Sequence, residues 1–193
     1  MSHLDRRQRE REEIRLKLLD AARDIAIKEG WHAVTIRKIA DKVEYTPPIV
    51  YEYFENKEDL FRELVYSGFE ILRKQFEEAS LQETNPKKLM VKIALIHFNF
   101  ALKHKELFQL MFNIERQKPN ESMQYNMTLM ERTIRQISKE DNSVIREQIF
   151  AFLCLCHGAI SFMLQTEKET PHSRFKDFPK LYERMVERFI NSL

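Results

Sequence analysis

Hydrophobic residues recur every three or four positions along most of the chain, which is the spacing of one face of an α-helix. The first stripe begins at Ile14 and stops at Gly30, a residue type that often follows the last turn of a helix. The charged stretch Arg6–Arg11 before it has no apolar face, so we expect a frayed helix start there. The whole pattern predicts about nine helices and no internal repeat.

Polar residues and prolines mark where the next helices start. Thr35 precedes a short apolar run, and a threonine at that place can accept a hydrogen bond from an otherwise unpaired N–H group. Thr46 precedes a short helix predicted over Pro47–Phe54, because proline is tolerated in a first turn. Asn56 is the predicted cap of a longer helix over residues 57–78.

The rest of the chain is predicted to form five further helices. Loops are expected at Pro119-Asn120 and at Pro171–Ser173, and Asn142-Ser143 is the expected cap of the longest segment. The predicted helices cover residues 86–104, 107–112, 123–137, 144–165 and 176–192.

The composition agrees with an all-α fold. Three glycines and six prolines in 193 residues are few for a protein with sheets, which needs frequent turns. No apolar run is expected to span a membrane, and the charged first residues lack the apolar core of a secretion signal. Cys154 and Cys156 fall on different sides of a predicted helix and indicate no disulfide framework. A reducing cytoplasm is therefore the expected compartment.

The charge of the chain does not by itself indicate a nucleic-acid partner. Its net charge is +2, and residues 1–60 contain 12 Lys and Arg against 13 Asp and Glu. A DNA-binding surface would therefore depend on where the charges lie and not on their total.

Residues 35–54 have the length pattern of a helix-turn-helix, in which two helices of about eight residues are joined by about three. The second helix of such a motif is short and exposed, so its first turn reaches base edges in the major groove. Thr46, Pro47, Pro48 and Ile49 form that turn here. They offer one hydroxyl group and several apolar surfaces, which suit thymine methyl groups better than guanine.

The same region resembles the DNA-binding domain of the tetracycline-repressor (TetR) family over residues of about 14–62. The matching residues are Ala21-Ala22, Gly30, Thr35, Ile39-Ala40 and the string Tyr51-x-Tyr53-Phe54-x-x-Lys57-Glu58-x-Leu60. The resemblance implies an all-α transcription regulator that is not an enzyme. It also implies an N-terminal three-helix DNA-binding head, residues 12–64, and a larger effector-binding and dimerisation domain, residues 65–193.

The resemblance further implies roles for individual residues. Thr35, Tyr51, Tyr53 and Lys57 are expected to contact phosphates, and Thr46, Pro47, Pro48 and Ile49 are expected to face bases. Arg37 and Lys38 are expected to be additional contacts on the second helix.

Four positions depart from the family pattern. Glu44 stands where the family usually has glycine, and a glutamate at positive φ costs roughly 1–2 kcal/mol, so we expect the turn to differ locally. Tyr45 replaces a small aliphatic residue, and Pro48-Ile49 replace a small pair, which leaves the operator sequence open. Glu52 would repel phosphate or accept a hydrogen bond from a cytosine amino group.

The second half of the chain resembles the family's effector domain less specifically. Leu107–Phe112 and His157-Gly158 resemble a subfamily named for a Trp-His-Gly motif, although Cys156 replaces the tryptophan. The resemblance implies a small apolar effector and no other cofactor. Candidate pocket residues are Phe100, Phe108, Met111, Phe112, Met123, Met127, Met130 and His157. Methionine and phenylalanine at helical spacing more often pack in a core than line a pocket.

A homodimer is the expected assembly. Residues of about 143–165 are apolar nearly all round, so one subunit cannot bury them alone. With the last helix, 176–192, they are expected to form a four-helix bundle between subunits, as in the family. Two recognition helices about 34 Å apart would then read a palindromic operator. Together, the resemblance, the candidate pocket and the dimer predict a ligand-responsive repressor. It is expected in the bacterial cytoplasm, associated with the nucleoid.

Two other functions are compatible with an all-helical chain. A carboxylate-bridged metal enzyme needs Glu-x-x-His motifs inside its bundle, and His97, His104 and His157 do not follow a glutamate at that spacing. Cys154 lies three residues before His157 but brings no third ligand, so no metal site is predicted.

A protein-interaction module whose helix-turn-helix no longer binds DNA is favoured by the acidic residues Glu44 and Glu52. If the protein binds DNA and its affinity falls steeply with salt, phosphates are contacted and the interaction module is excluded.

Overall fold

The computed structural model describes residues 3–113, 119–169 and 177–193, and these ranges contain nine α-helices and no strand. The all-α prediction is therefore confirmed for the part of the chain that is described. The helices are α1 (His3–Glu29), α2 (Ile36–Lys42), α3 (Pro47–Tyr51), α4 (Lys57–Gln82), α5 (Pro86–Lys103), α6 (Lys105–Asn113), α7 (Glu121–Ile137), α8 (Asn142–Glu169) and α9 (Phe178–Ser192). A short 3-10 turn, Trp31–Ala33, follows α1.

The described residues form two compact units. Unit 1 contains the chain up to Gly68 and also α6 from Glu106 onward. Unit 2 contains α5, α7, α8, α9 and the part of α4 that begins at Phe69. The domain ranges 12–64 and 65–193 stay predictions.

Side-chain caps begin two helices of unit 1 where the sequence predicts them. The Oγ1 of Thr35 accepts a hydrogen bond from the N–H of Lys38 at 3.2 Å, at the start of α2. The Oδ1 of Asn56 accepts one from the N–H of Asp59 at 2.8 Å, at the start of α4. Each cap satisfies an N–H group that has no partner within its helix.

The N-terminal end of α1 differs from its prediction. The helix already begins at His3, so Arg6–Arg11 are helical and not frayed. An ion pair one turn apart, Arg6 Nε to Glu10 Oε1 at 2.8 Å, supports this segment without any apolar face.

Two further boundaries also differ. α3 ends at Tyr51 and not at Phe54, whose N–H bonds back to the carbonyl of Val50 at 3.1 Å. α8 is capped by Asp141 in place of Asn142-Ser143, because the Asp141 carboxylate accepts the N–H of Ser143 at 2.8 Å. The predicted loop Pro171–Ser173 lies outside the described residues.

Unit 1 is built on a core from α1, α2, α3 and α4. The residues with no more than 1% exposure are Leu18, Ala22, Val34, Ile39, Ala40, Val50, Phe54, Leu60, Leu64 and Val65. α6 joins this core closely at Gly68, where a Cβ atom would collide with the sulfur of Met111. The apolar stripe predicted for α1 is thus the face that it buries.

Unit 2 centres on an aromatic stack between α5 and α9. The rings of Phe98 and Tyr182 are 4.8 Å apart, and the Tyr182 hydroxyl donates to the carbonyl oxygen of Ala94 at 3.2 Å. Burial raises the pKa of the Tyr182 phenol, and burial raises the pKa of the neighbouring Cys156 thiol to about 11. Both groups are therefore neutral at physiological pH and act as packing residues.

α8 is the most apolar helix of unit 2. Its segment Asn142–Gln165 is long and apolar enough, by length and composition, to cross a membrane, with 28% of the most apolar window buried. Length and composition do not test whether a helix spans a membrane, so the expectation that no apolar run does so stays a prediction. Interior helices of proteins without any membrane span pass the same criterion, and α8 packs on α5, α7 and α9.

Candidate nucleic-acid interface

α2 and α3 form a helix-turn-helix that is anchored by a small apolar core. Ile39 and Ala40 of α2 and Val50 of α3 are completely buried. Phe54, just after α3, is 1% exposed and belongs to this core. Because α3 is held through this inner face, its first turn and its outer face remain on the surface.

The turn between the two helices keeps the shape that a glycine would normally provide. Glu44 has a φ of 60°, so a glutamate occupies the left-handed region. The N–H of Tyr45 donates a hydrogen bond to the carbonyl oxygen of Ala40 at 2.9 Å. The N–H of Glu44 donates one to the carbonyl oxygen of Asp41 at 3.3 Å. These two bonds are the usual pattern of a left-handed helix end. The departure at Glu44 therefore leaves the turn geometry intact and adds strain of roughly 1–2 kcal/mol.

The first turn of α3 presents the surface that was predicted to face bases. Thr46 is exposed and its side chain makes no cap hydrogen bond, so its hydroxyl is available to an incoming molecule. Pro48 is exposed, whereas Pro47 and Ile49 are half-buried. This small tip offers one hydroxyl group among apolar atoms.

The residues predicted to hold phosphates differ in how exposed their side chains are. Tyr51 is 54% exposed at the end of α3, while Tyr53 is half-buried beside the guanidinium of Arg11. Lys57 starts α4, with its Nζ 4.9 Å from the centre of the Phe61 ring. A cation over an aromatic face keeps its charge and remains able to bind an anion.

The three candidate contacts on α2 also lie at the surface, and two of them already have partners. Arg37 is 86% exposed and lies 4.0 Å from Asp41, and Lys38 lies 2.6 Å from a carboxylate oxygen of Glu29. The hydrogen bond from Lys38 lowers the pKa of Glu29. Thr35 is exposed, and its hydroxyl proton can still donate. Phosphate would have to compete with these carboxylates for Arg37 and Lys38.

The eight candidate pocket residues are divided between the two units. Phe108, Met111 and Phe112 belong to unit 1, and Phe100, Met123, Met127, Met130 and His157 belong to unit 2. Four of them, Phe100, Phe108, Met111 and Met130, are buried. Phe112 is 40% exposed and Met127 is 43% exposed, which is unusual for such large apolar side chains.

Two histidines of unit 2 have lowered basicity. Burial, with a contribution from the nearby His157, lowers the pKa of His97 to about 4. Burial also lowers the pKa of His157, which lies within 3.3 Å of the Ser161 hydroxyl. Both imidazoles are therefore neutral at physiological pH.

Among the described residues, no group of three or more His, Cys, Asp or Glu side chains is placed to hold a metal ion. A Glu-x-x-His spacing does occur at Glu29 and His32, but α1 ends between them and both residues are exposed. Cys154 is exposed and Cys156 is buried, so the two thiols do lie on different sides of α8.

Sequence comparison connects the N-terminal region to known regulators. Residues 18–64 match the family described as bacterial regulatory proteins, tetR family. The uncharacterized HTH-type transcriptional regulator YdgC of Bacillus subtilis (strain 168) is 30% identical over 105 residues, which are 52% of this chain and 53% of that protein. The match thus spans about half the length of this curated relative.

Structural comparison extends the likeness to nearly the whole chain. The putative regulatory protein SCO4313 has a TM-score of 0.79 at 16% identity, with 95% of this chain and 98% of that chain covered. FadR from Bacillus subtilis, solved in complex with stearoyl-CoA, has a TM-score of 0.72 at 16% identity, with 92% and 98% covered. At such identities the likeness concerns the fold.

Sequence reasoning missed one residue on this face. Arg11 was placed in a frayed helix end, yet it contacts both Glu52 and Tyr53. Its local sequence is rich in arginine, but nothing local shows which of these side chains meets the end of α3.

Proposed function

We propose that the chain is a sequence-specific DNA-binding transcription regulator of the tetR family of bacterial regulatory proteins, from the premise that its residues 18–64 match that family. The fold and the family are those of regulators and not of enzymes. The observation that carries the proposal is the exposed tip of α3, where Thr46 and Pro48 face solvent while Val50 anchors the helix.

Base and phosphate contacts divide along this surface. Thr46, Pro47, Pro48 and Ile49 would enter the major groove, where a hydroxyl group and apolar atoms can select thymine. The phosphate contacts would be Thr35, Tyr51, Tyr53 and Lys57, with Arg37 and Lys38 beside them. Phosphate contacts set the register of the protein on the duplex, whereas base contacts select its sequence.

We propose that the dimer interface lies on α8, with α9 beside it. Phe150 is 69% exposed and Phe162 is 50% exposed, which leaves two large apolar side chains of α8 facing solvent in one protomer. Gly158, between them, has no atom within 4 Å of where a Cβ would lie, so a second helix can approach closely. A two-fold dimer would set two α3 tips about one duplex turn apart, which favours a palindromic operator.

A small apolar effector is the proposed signal. FadR of Bacillus subtilis was solved with stearoyl-CoA, and the present chain shares its fold. The candidate residues of unit 2, Phe100, Met123, Met127, Met130 and His157, would provide apolar contacts, and no further cofactor is proposed. Effector binding would favour a conformation in which α4 swings and the two heads no longer fit successive grooves. Effector binding is therefore expected to relieve repression. The regulator is expected to act in the bacterial cytoplasm, at the nucleoid.

The exposed carboxylates of Glu44 and Glu52 favour one alternative, a protein-interaction module that no longer binds DNA. Selection of bound duplexes from a random pool, followed by sequencing, separates the two functions. A palindromic consensus whose binding weakens steeply with salt is expected for the regulator. Recovery of no consensus, together with binding that salt does not weaken, would leave the interaction module.

A further inference from the structure

Arg11 of α1 lies against the end of the recognition helix. Its Nη2 donates a hydrogen bond to the main-chain carbonyl oxygen of Glu52 at 3.2 Å. Its guanidinium carbon is 5.8 Å from the centre of the Tyr53 ring. Because Glu52 directly follows the last residue of α3, the N-terminal part of α1 reaches the face of unit 1 that carries the candidate DNA contacts.

The charge of Arg11 is available, unlike that of several other cationic side chains of unit 1. The ion pairs of these other side chains are Arg6–Glu10 at 2.8 Å, Arg15–Glu63 at 2.6 Å, Lys38–Glu29 at 2.6 Å and Lys42–Asp24 at 3.2 Å. Within the described residues, the contacts of Arg11 are with a carbonyl oxygen and a ring, and neither neutralises its charge.

We propose that Arg11 binds a DNA phosphate next to Tyr53, so that α1 extends the DNA contact beyond the helix-turn-helix. This inference rests on the proposed DNA-binding function. A guanidinium has five N–H donors, and the bond to Glu52 uses one of them. The others can hold a phosphate in the two-pronged geometry that arginine favours, while the bond to Glu52 keeps the side chain in place.

A purely structural role for Arg11 would give a different result. A cation at the C-terminal end of a helix interacts favourably with the helix dipole, and its removal would then change the stability or the position of α3. A phosphate contact instead contributes to the salt dependence of binding, and it does so equally on any duplex sequence.

The test compares Arg11→Gln with Arg6→Gln in the full-length protein. Fluorescence anisotropy would measure binding to the selected duplex and to a random-sequence duplex between 50 and 200 mM salt, which is roughly a fourfold range. For Arg11→Gln we expect the slope of log K against log salt to shrink by about 0.9 on both duplexes, which makes the loss of affinity over this range roughly threefold smaller. Arg6→Gln, which removes a charge that is also exposed but is ion-paired, should retain the slope. Arg11→Met, which keeps the aliphatic stem over Tyr53, repeats the test if the first variant does not fold.

An unchanged slope in a folded Arg11 variant would overturn the inference. An equal decrease for Arg6→Gln would also overturn it, because the effect would then follow net charge and not the position of Arg11. Failure of the wild-type protein to bind either duplex would instead remove the proposed function, and this inference with it. The two failures are therefore distinguishable.

Discussion

The indole N–H of Trp31 donates a hydrogen bond to the carbonyl oxygen of Glu106 at 2.8 Å, across 75 positions of sequence. The same ring meets Phe61 edge-on, with the ring centres 5.3 Å apart. The turn after α1 is thereby tied both to α4 and to the first turn of α6. This contact helps to explain why α6, which is distant from α1 in sequence, belongs to unit 1.

Replacing Trp31 by phenylalanine should weaken unit 1. The variant loses one hydrogen bond, worth about 0.5–1.5 kcal/mol, and part of the ring contact, so we expect the free energy of unfolding to fall by about 1–2 kcal/mol. Urea unfolding followed by far-UV circular dichroism measures this. Leu81→Ala, at a side chain that is 81% exposed, is the control and should stay within about 0.5 kcal/mol of wild type. Equal stability of Trp31→Phe and wild type would show that the hydrogen bond does not hold α6.

Glu44→Gly should stabilise the protein. Glycine adopts the φ of 60° without the steric strain of a glutamate, and relief of that strain is worth about 1 kcal/mol. Glu52→Gly is a matched control because Glu52 has ordinary right-handed helical angles. At Glu52 the same substitution should destabilise the protein by roughly 0.5–1 kcal/mol. Thermal unfolding of both variants measures the two effects, and a shift of the same sign in both would contradict the explanation.

Substitutions on the recognition surface should separate phosphate contacts from base contacts. Tyr51→Phe and Lys57→Ala should weaken binding to all duplexes similarly, because each removes a phosphate partner. Thr46→Ala should instead change the preferred bases, because its hydroxyl lies at the tip of α3. Selection from a random duplex pool with each variant is the measurement. A consensus that is unaltered by Thr46→Ala would mean that this tip does not read bases.

The exposed face of α8 should control the oligomeric state. Phe150→Glu places a charge where a partner helix is proposed, and burying an unpaired charge is strongly unfavourable, so we expect a monomer. Analytical ultracentrifugation at several concentrations measures this. Leu81→Glu makes the same kind of change at an exposed site on α4 and should remain dimeric. A dimer that survives Phe150→Glu would place the interface elsewhere.

His97 should make the protein less stable in acid. Its pKa of about 4 in the folded state is below its usual value of 6.5, so the unfolded chain binds the proton more readily. The stabilising contribution is therefore complete above about pH 6.5 and is lost as the pH falls towards 4, with a loss of up to about 3 kcal/mol. Urea unfolding between pH 7.5 and pH 4 measures the slope, which should be smaller in His97→Gln.

His32→Gln serves as the control for the pH experiment because His32 is exposed. The slopes of the free energy of unfolding against pH are compared, and not the absolute stabilities, because a packing defect in the His97 variant lowers its stability at every pH. Equal slopes for His97→Gln and wild type would show that the acid sensitivity arises at another group.

Local signals account for the features that the sequence predicts well. Thr35 and Asn56 start their helices because a side-chain oxygen and a backbone N–H only three residues away form the bond. The buried faces of the helices follow the same short-range spacing. Such features depend on neighbours within one or two turns, so no knowledge of the remaining chain is needed.

Contacts between residues that are distant in sequence account for what the sequence does not reveal. The pairing of Lys38 with Glu29 depends on how α1 and α2 cross. Packing around Ala40 and Val50 holds the strained angle at Glu44, where local preference alone disfavours it. Local patterns cannot report these relationships because each arises only when separate helices meet.

The amino-acid sequence thus determined the helices, the caps at Thr35 and Asn56, and the motif by which residues 18–64 match a family of bacterial regulators. Tertiary structure decided which arginine of α1 reaches α3, and to which unit α6 belongs. The physical reason is the range of the forces involved. Helix formation depends on hydrogen bonds and side chains within a few residues, whereas the positions of Arg11 and Glu106 depend on packing among helices far apart in the chain.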